Sequence, residues 1–397
     1  MKRRVLVPLF LINFIVYFIG AGLLPLLPLY AARFGVSATG SGLHIAFLFV
    51  TITVGTMLTG RLTHYFSTRS LFLVTGLLGI PMLALIGRST AFWPVVMLTG
   101  AIWFLAGVGT ALVNIEAGRH ATRNKRGRSF GLLFIALPAA SLIAGLTAGR
   151  LVEWQSYRVL FDMLAIFWSA WPFLAFLRPN EKPEPRPAQV VAIRATGRGR
   201  PALGTLFYIL VATTLLSAIT YYLTRLGTTF SLSSLGFSPT AIAGTSAVGG
   251  LTAIPATYLI GILSDRLSRK NIVILGSLFA VGATVIISTA GELWHFWLAT
   301  GILYMSRSIN GAVGPALATD LLASEKRDQG LAYLSAGNWI AGIIGSAIAG
   351  IGMDSLGQTN LYLLAAGLAA LAALLMALLP VFQHLPVVAR LQPAPGK

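Results

Sequence analysis

Apolar residues run in stretches of about twenty along almost the whole chain, and polar residues gather in the short breaks between them. Each stretch is long enough to cross ~30 Å of hydrocarbon as a helix. Divided at their Gly, Pro and charged interruptions, they predict spans at 6–30, 41–60, 71–87, 93–116, 129–149, 158–177, 204–232, 239–260, 271–290, 295–317, 328–351 and 360–382. The fold class expected is an all-α membrane protein with twelve transmembrane helices. Lys2-Arg3-Arg4 followed by an apolar run has the order of a secretory signal. That run continues for about 25 residues without a small-residue cleavage site, so it reads as an uncleaved first helix.

Composition supports this reading. Of 397 residues, 56% are hydrophobic and 10% charged, whereas a soluble chain carries about 25% charge to coat itself in water. The net charge of +18 would suggest nucleic acid in a soluble protein. Here the basic residues fall mainly in alternate breaks: Lys2 to Arg4, Arg61 and Arg69, Arg119 to Arg128, Arg178 to Arg200, Arg266 to Lys270, Lys326 and Arg327, then Arg390 and Lys397. By the positive-inside rule, both termini are expected in the cytoplasm and the chain in the cell's inner membrane. The basic excess is then held near lipid headgroups, and no nucleic-acid partner is expected. With no Cys and five scattered His, disulfide, thiolate-zinc and iron–sulfur chemistry are close to excluded. No Gly-x-x-x-x-Gly-Lys-Ser/Thr phosphate loop and no hydrolytic triad can be assembled from the sequence. Neither an enzyme nor a resident cofactor is expected.

The longest polar break, 178–203, is rich in Pro, Gly and Arg and divides the spans six and six. The expected organisation is an N-terminal six-helix bundle (1–177), a cytoplasmic linker (178–203), a C-terminal bundle (204–382) and a tail (383–397). An offset of 201 residues keeps polar landmarks in register: Gly35, Ser37 and Thr39 fall on Gly236, Ser238 and Thr240; Thr99-Gly100 on Thr300-Gly301; Arg126 on Arg327. Six spans per repeat make the halves parallel, related by an axis along the membrane normal. Two such bundles enclose a cavity that rocking can open to either side.

The loop Gly261-Ile-Leu-Ser-Asp265-Arg266-Leu-Ser268-Arg269-Lys270, together with Pro25 and Pro28, the run Arg126-Gly-Arg128-Ser-Phe-Gly131 and the turn from Glu153-Trp154 to Arg158, resembles the major facilitator superfamily over essentially the whole chain. The resemblance implies alternating access, with Gly261, Asp265, Arg266, Arg269 and Lys270 forming a gating latch. The first-half copy, from Gly60 to Arg69, has His64 in place of the acid and Tyr65 in place of the following Arg, so a latch needing a carboxylate cannot operate there. The fourth span reads Trp103 to Gly109 without the Arg of many proton-driven members, and the fifth has Leu137-Pro138 without the flanking glycines of drug/proton antiporters.

Ionisable residues within spans are costly and therefore functional candidates. Arg307 falls near mid-membrane, with Asn310 at +3, and Arg225 lies further out behind Tyr221 and Tyr222. Asn13, Tyr17, Asn338 and Trp339 complete a candidate substrate-binding set. Glu116, four residues before His120, reads either as a fixed charge cluster or as a proton carrier, with His44 and His120 as further coupling candidates. Asp162 is expected to pair with Arg158 at i,i+4. The imbalance of embedded bases over acids favours an anionic or zwitterionic solute. The expectation is therefore a monomeric secondary active transporter of a small organic molecule, driven by an ion gradient, that of protons. A multidrug or sugar efflux pump is the alternative within the same superfamily, and a non-transporting membrane scaffold or sensor the alternative outside it.

Overall fold

The computed structural model describes residues 3–120, 131–176, 204–266, 268–322 and 326–378. Among these, all regular structure is helical: α1 (Arg3–Leu23), α2 (Leu27–Ala32), α3 (Ala38–Tyr65), α4 (Thr68–Ile86), α5 (Phe92–His120), α6 (Ala136–Trp154), α7 (Tyr157–Trp168), α8 (Ala170–Phe176), α9 (Thr205–Ser234), α10 (Pro239–Arg266), α11 (Arg269–Ser288), α12 (Leu293–Leu321) and α13 (Arg327–Ala377). The first predicted span is broken into α1 and α2 around Pro25, and the sixth into α7 and α8. Gly357, at φ 73°, divides α13 into a first arm (327–356) and a second arm (358–377). Positive φ is cheap only for Gly, so this residue sets the turn between the last two crossings. The resulting segments coincide with the twelve predicted spans, and nine helical stretches among the described residues are long and apolar enough to cross a membrane.

The internal repeat is visible in local chemistry. Ser37 and Ser238 begin α3 and α10, each accepting a backbone N–H three residues on, from Gly40 (3.2 Å) and Ala241 (3.3 Å). Gly35 and Gly236, at φ 72° and 77°, make the turn before each cap. Ser67 and Ser268 cap α4 and α11 in the same way. Every one of these pairs is separated by 201 residues.

Since successive crossings alternate in direction, the N-terminus of α1, the 66–67 turn and the start of α9 share one end of the molecule, the near end. The turns at 33–38, 155–157 and 235–239 share the far end. The halves meet through α3 against α13 and α6 against α10. Toward the far end these helices touch backbone to backbone: a Cβ on Gly42 would lie 2.7 Å from Gly350 Cα and from Ser346 O, and one on Gly149 would strike Pro239 O. Small residues at such crossings let helices approach closely enough for dense van der Waals packing. Among the described residues, the closest backbone contacts between the two halves thus lie from the far end to the middle of these helices.

Candidate functional site

The site is built midway along the helices. At a rise of 1.5 Å per residue, Arg307 lies about 21 Å along α12 from its far end, in the middle of the crossing. Its Nη2 donates to Asn338 Oδ1 of α13 at 2.6 Å, and its guanidinium lies 5.5 Å from the centroid of the Tyr221 ring. Asn338 turns its amide nitrogen toward Tyr222 Oη, at 3.3 Å. Tyr221 stacks edge-on against Tyr222 (5.1 Å) and against Tyr304 (5.5 Å). The partners described for Arg307 are thus neutral, and no carboxylate among the described residues pairs with it in a zone where desolvation is costly.

Arg225, one turn beyond Tyr221 and Tyr222 on α9, lies among Tyr221, Tyr222 and Tyr304. It lines a small pocket between the halves, with Leu24, Pro25, Ile45, Thr245 and Ser346. Phe49 of α3 also lines this pocket. Its ring packs at 4.8 Å against Tyr222 and at 6.4 Å against Trp339, and a Cβ on Gly342 would press into it at 2.7 Å. Phe49 was not singled out in the sequence, because an apolar residue in an apolar span carries no signal. The structure thus brings Arg307, Arg225, Tyr221, Tyr222, Asn338 and Trp339 into one region.

The remaining candidates fall elsewhere or at its edge. Asn13 is buried and donates to Leu133 O at 3.1 Å, within its own half. Tyr17 lies one helical turn beyond Asn13 on α1. Asn310 is buried, and its Oδ1 has no hydrogen-bond partner among the described residues. His44 sits inside the N-terminal half, with Nε2 2.7 Å from Thr99 Oγ1 and its ring edge-on to Phe92. Glu116 is buried near the end of α5; it pairs with Arg119 at 3.0 Å, and His120 Nδ1 lies 3.7 Å from its Oε2.

In the gating motif, Arg69 donates to Phe176 O (3.0 Å) and Lys270 to Ala377 O (2.8 Å). These repeat-related bases each hold the C-terminal carbonyls of the last helix in their own half, a favourable place for a cation. Arg269 reaches Ala316 O and pairs with Asp320 at 2.6 Å. Gly60 faces open space, and His64 is exposed at the end of α3. The side chains of Asp265 and Arg266, and the surroundings of Gly261, lie outside the described residues. One sequence expectation is corrected: Asp162 pairs bidentately with Arg88, in the turn that follows α4, at 2.5 and 3.2 Å, rather than with Arg158. The turn at the end of a neighbouring helix supplies a better-aimed guanidinium than the i,i+4 position does.

Comparison with known proteins agrees with this architecture. The family model of the Major Facilitator Superfamily matches residues 9–306 and 230–395, and the chain belongs to that family of membrane transporters. No curated protein matches the chain. Among solved structures, a POT family transporter in complex with a thioalcohol-conjugated peptide is 14% identical at a TM-score of 0.77, covering 94% of this chain and 95% of that one. The nucleoside transporter NupG is 12% identical at a TM-score of 0.76, covering 94% and 99%. A D-xylose–proton symporter is 16% identical at a TM-score of 0.72, covering 94% and 95%. At these identities the likeness is one of fold.

Proposed function

We propose that the chain is a secondary active transporter that moves a small anionic or zwitterionic organic solute across the cell's inner membrane by alternating access, coupled to protons. The observation that carries this reading is the Arg307 guanidinium, held at mid-crossing by the neutral Asn338 and Tyr221. A planar guanidinium offers paired N–H donors to a carboxylate or phosphate. The rings of Tyr221, Tyr222 and Trp339 supply an apolar wall for the organic body, and Arg225 a second cation further along the same path. With the basic loops facing the cytoplasm, the near end is cytoplasmic. The working unit is a single chain set among membrane lipids, since both halves of the path come from one polypeptide.

Proton coupling is supported by Glu116, a carboxylate buried at the near end beside Arg119 and His120, and by the proton symporter among the structures of the same fold. Counterflow into proteoliposomes tests the reading. Exchange of labelled organic acids or amino acids is expected in wild type and lost in Arg307→Ala. No ligand-dependent flux across a broad panel of acids, sugars and cations would favour the scaffold alternative instead. A neutral, sugar-like solute is the second reading, favoured by the uncharged lining that Asn338, Tyr222 and Tyr17 provide.

A further inference from the structure

The far end carries a feature that the transport path does not use. Glu153, at the end of α6 in the first half, accepts the backbone N–H of Thr240 at 2.7 Å through Oε1. Asp354, at the end of the first arm of α13 in the second half, accepts the backbone N–H of Thr39 at 2.7 Å through Oδ2. The two acids are 201 residues apart, and so are the two threonines. Each half therefore sends a carboxylate to the first turn of a helix in the other half, and receives one in return.

Local chemistry makes these positions receptive. Each helix begins with a Ser whose Oγ satisfies the N–H three residues on, so the Thr N–H between remains to be satisfied from outside. The first turn of a helix carries partial positive charge, and an anion is favoured there. A Gln or Asn would supply the hydrogen bond without the charge.

Beneath each cap runs a close crossing built on the same spacing. Gly145 and Gly149 precede Glu153 by eight and four residues, as Ser346 and Gly350 precede Asp354. A Cβ on Gly149 would collide with Pro239 O, and one on Gly350 with Ala38 O. The acid thus sits at the outer end of a stripe that already holds the two helices in contact. Opening the far end must part both crossings and break both caps.

We propose that Glu153 and Asp354 are a reciprocal pair of far-end latches that set the balance between the far-closed and far-open states. The proposal rests on the alternating-access reading. These are positioning residues: neither touches the region around Arg307.

The test uses the whole 397-residue chain, which contains no cysteine, so spin labels can be placed singly at the exposed, repeat-related Thr90 and Gly291 on the far end. A second label pair at Tyr65 and Arg327 follows the near end. Distance distributions are read in nanodiscs for wild type, Glu153→Gln, Asp354→Asn, the double neutral variant and Glu153→Lys. Each single neutral substitution is expected to raise the far-open to far-closed ratio about threefold. The double variant is expected to raise it roughly tenfold, since distant sites combine multiplicatively, and Glu153→Lys to exceed Glu153→Gln. Glu292→Gln is the control. That acid also caps a helix at the far end, but within its own half, and it should leave the ratio unchanged.

Near-end distances that redistribute while the far-end ratio stays at the wild-type value in all four variants would overturn the latch and leave alternating access standing. Equal shifts in Glu292→Gln and Glu153→Gln would also overturn it, because any far-end charge would then serve. Single, invariant distances at both ends in every variant would overturn the alternating-access reading, and the latch with it.

Discussion

Arg307 Nη2 donates to Asn338 Oδ1 at 2.6 Å, and Asn338 is bonded in turn to Tyr222 Oη. A cation at mid-membrane is thus oriented by a neutral amide, which holds the guanidinium without cancelling its charge. Replacing the amide by a carboxylate should change that. Asn338→Asp is expected to pair with Arg307, raise thermal stability and lower affinity for an anionic solute at least tenfold. Asn338→Leu removes a hydrogen bond to a charged donor and is expected to cost about 1.5–3 kcal/mol. Thermal unfolding and ligand titration of the purified variants measure both. Unchanged anion affinity in Asn338→Asp would place the solute elsewhere.

The close crossing at Gly350 sets a second expectation. A Leu there has no room beside Ala38 O and Gly42, so Gly350→Leu should hold the far end open. Thr245, buried on the wall of the small pocket between the halves, reports this as Thr245→Cys. A membrane-impermeant maleimide added from the far side is expected to modify Thr245→Cys slowly in the otherwise native chain and at least tenfold faster with Gly350→Leu. Equal rates would mean that this crossing does not control access.

The polar-to-apolar pattern alone located the twelve crossings, because the length of a helix that spans hydrocarbon is imposed by the bilayer. The same pattern marked Arg307, Asn338, Tyr221 and Tyr222, which are conspicuous as polar groups in apolar runs. It did not reveal Phe49, whose role comes from standing opposite Tyr222 and Trp339. Glu153 and Asp354 read as acids at span ends, although their 201-residue separation was available as a signal. The Arg88–Asp162 pair was missed because sequence spacing exposes partners on one helix and not those a neighbouring helix brings.

That pair is itself open to test. Arg88 and Asp162 are 41% and 31% exposed, and exposed ion pairs contribute about 0.2–1 kcal/mol. Asp162→Asn and Arg88→Gln are each expected to lower stability by no more than about 1 kcal/mol and to be non-additive when combined. Arg158→Gln should have no measurable effect in thermal unfolding. A larger loss in Arg158→Gln than in Arg88→Gln would restore the i,i+4 pairing.

Glu116 carries the coupling expectation. It is a buried carboxylate with two basic neighbours on its own helix, and protonation would leave Arg119 without its counter-charge. Glu116→Gln is expected to abolish accumulation driven by an imposed pH gradient while leaving solute exchange intact. Gradient-driven accumulation that survives in Glu116→Gln proteoliposomes would assign coupling to another group.

The central claim is that Arg307 receives a negatively charged group of the transported solute. Its most direct measurement is ligand-induced thermal stabilisation of purified wild type, Arg307→Lys and Arg307→Ala against organic acids, amino acids, sugars and lipophilic cations. The account predicts that anionic or zwitterionic compounds stabilise wild type, do so more weakly in Arg307→Lys, and have no effect in a folded Arg307→Ala. Stabilisation of wild type by lipophilic cations, retained undiminished in Arg307→Ala, would contradict it.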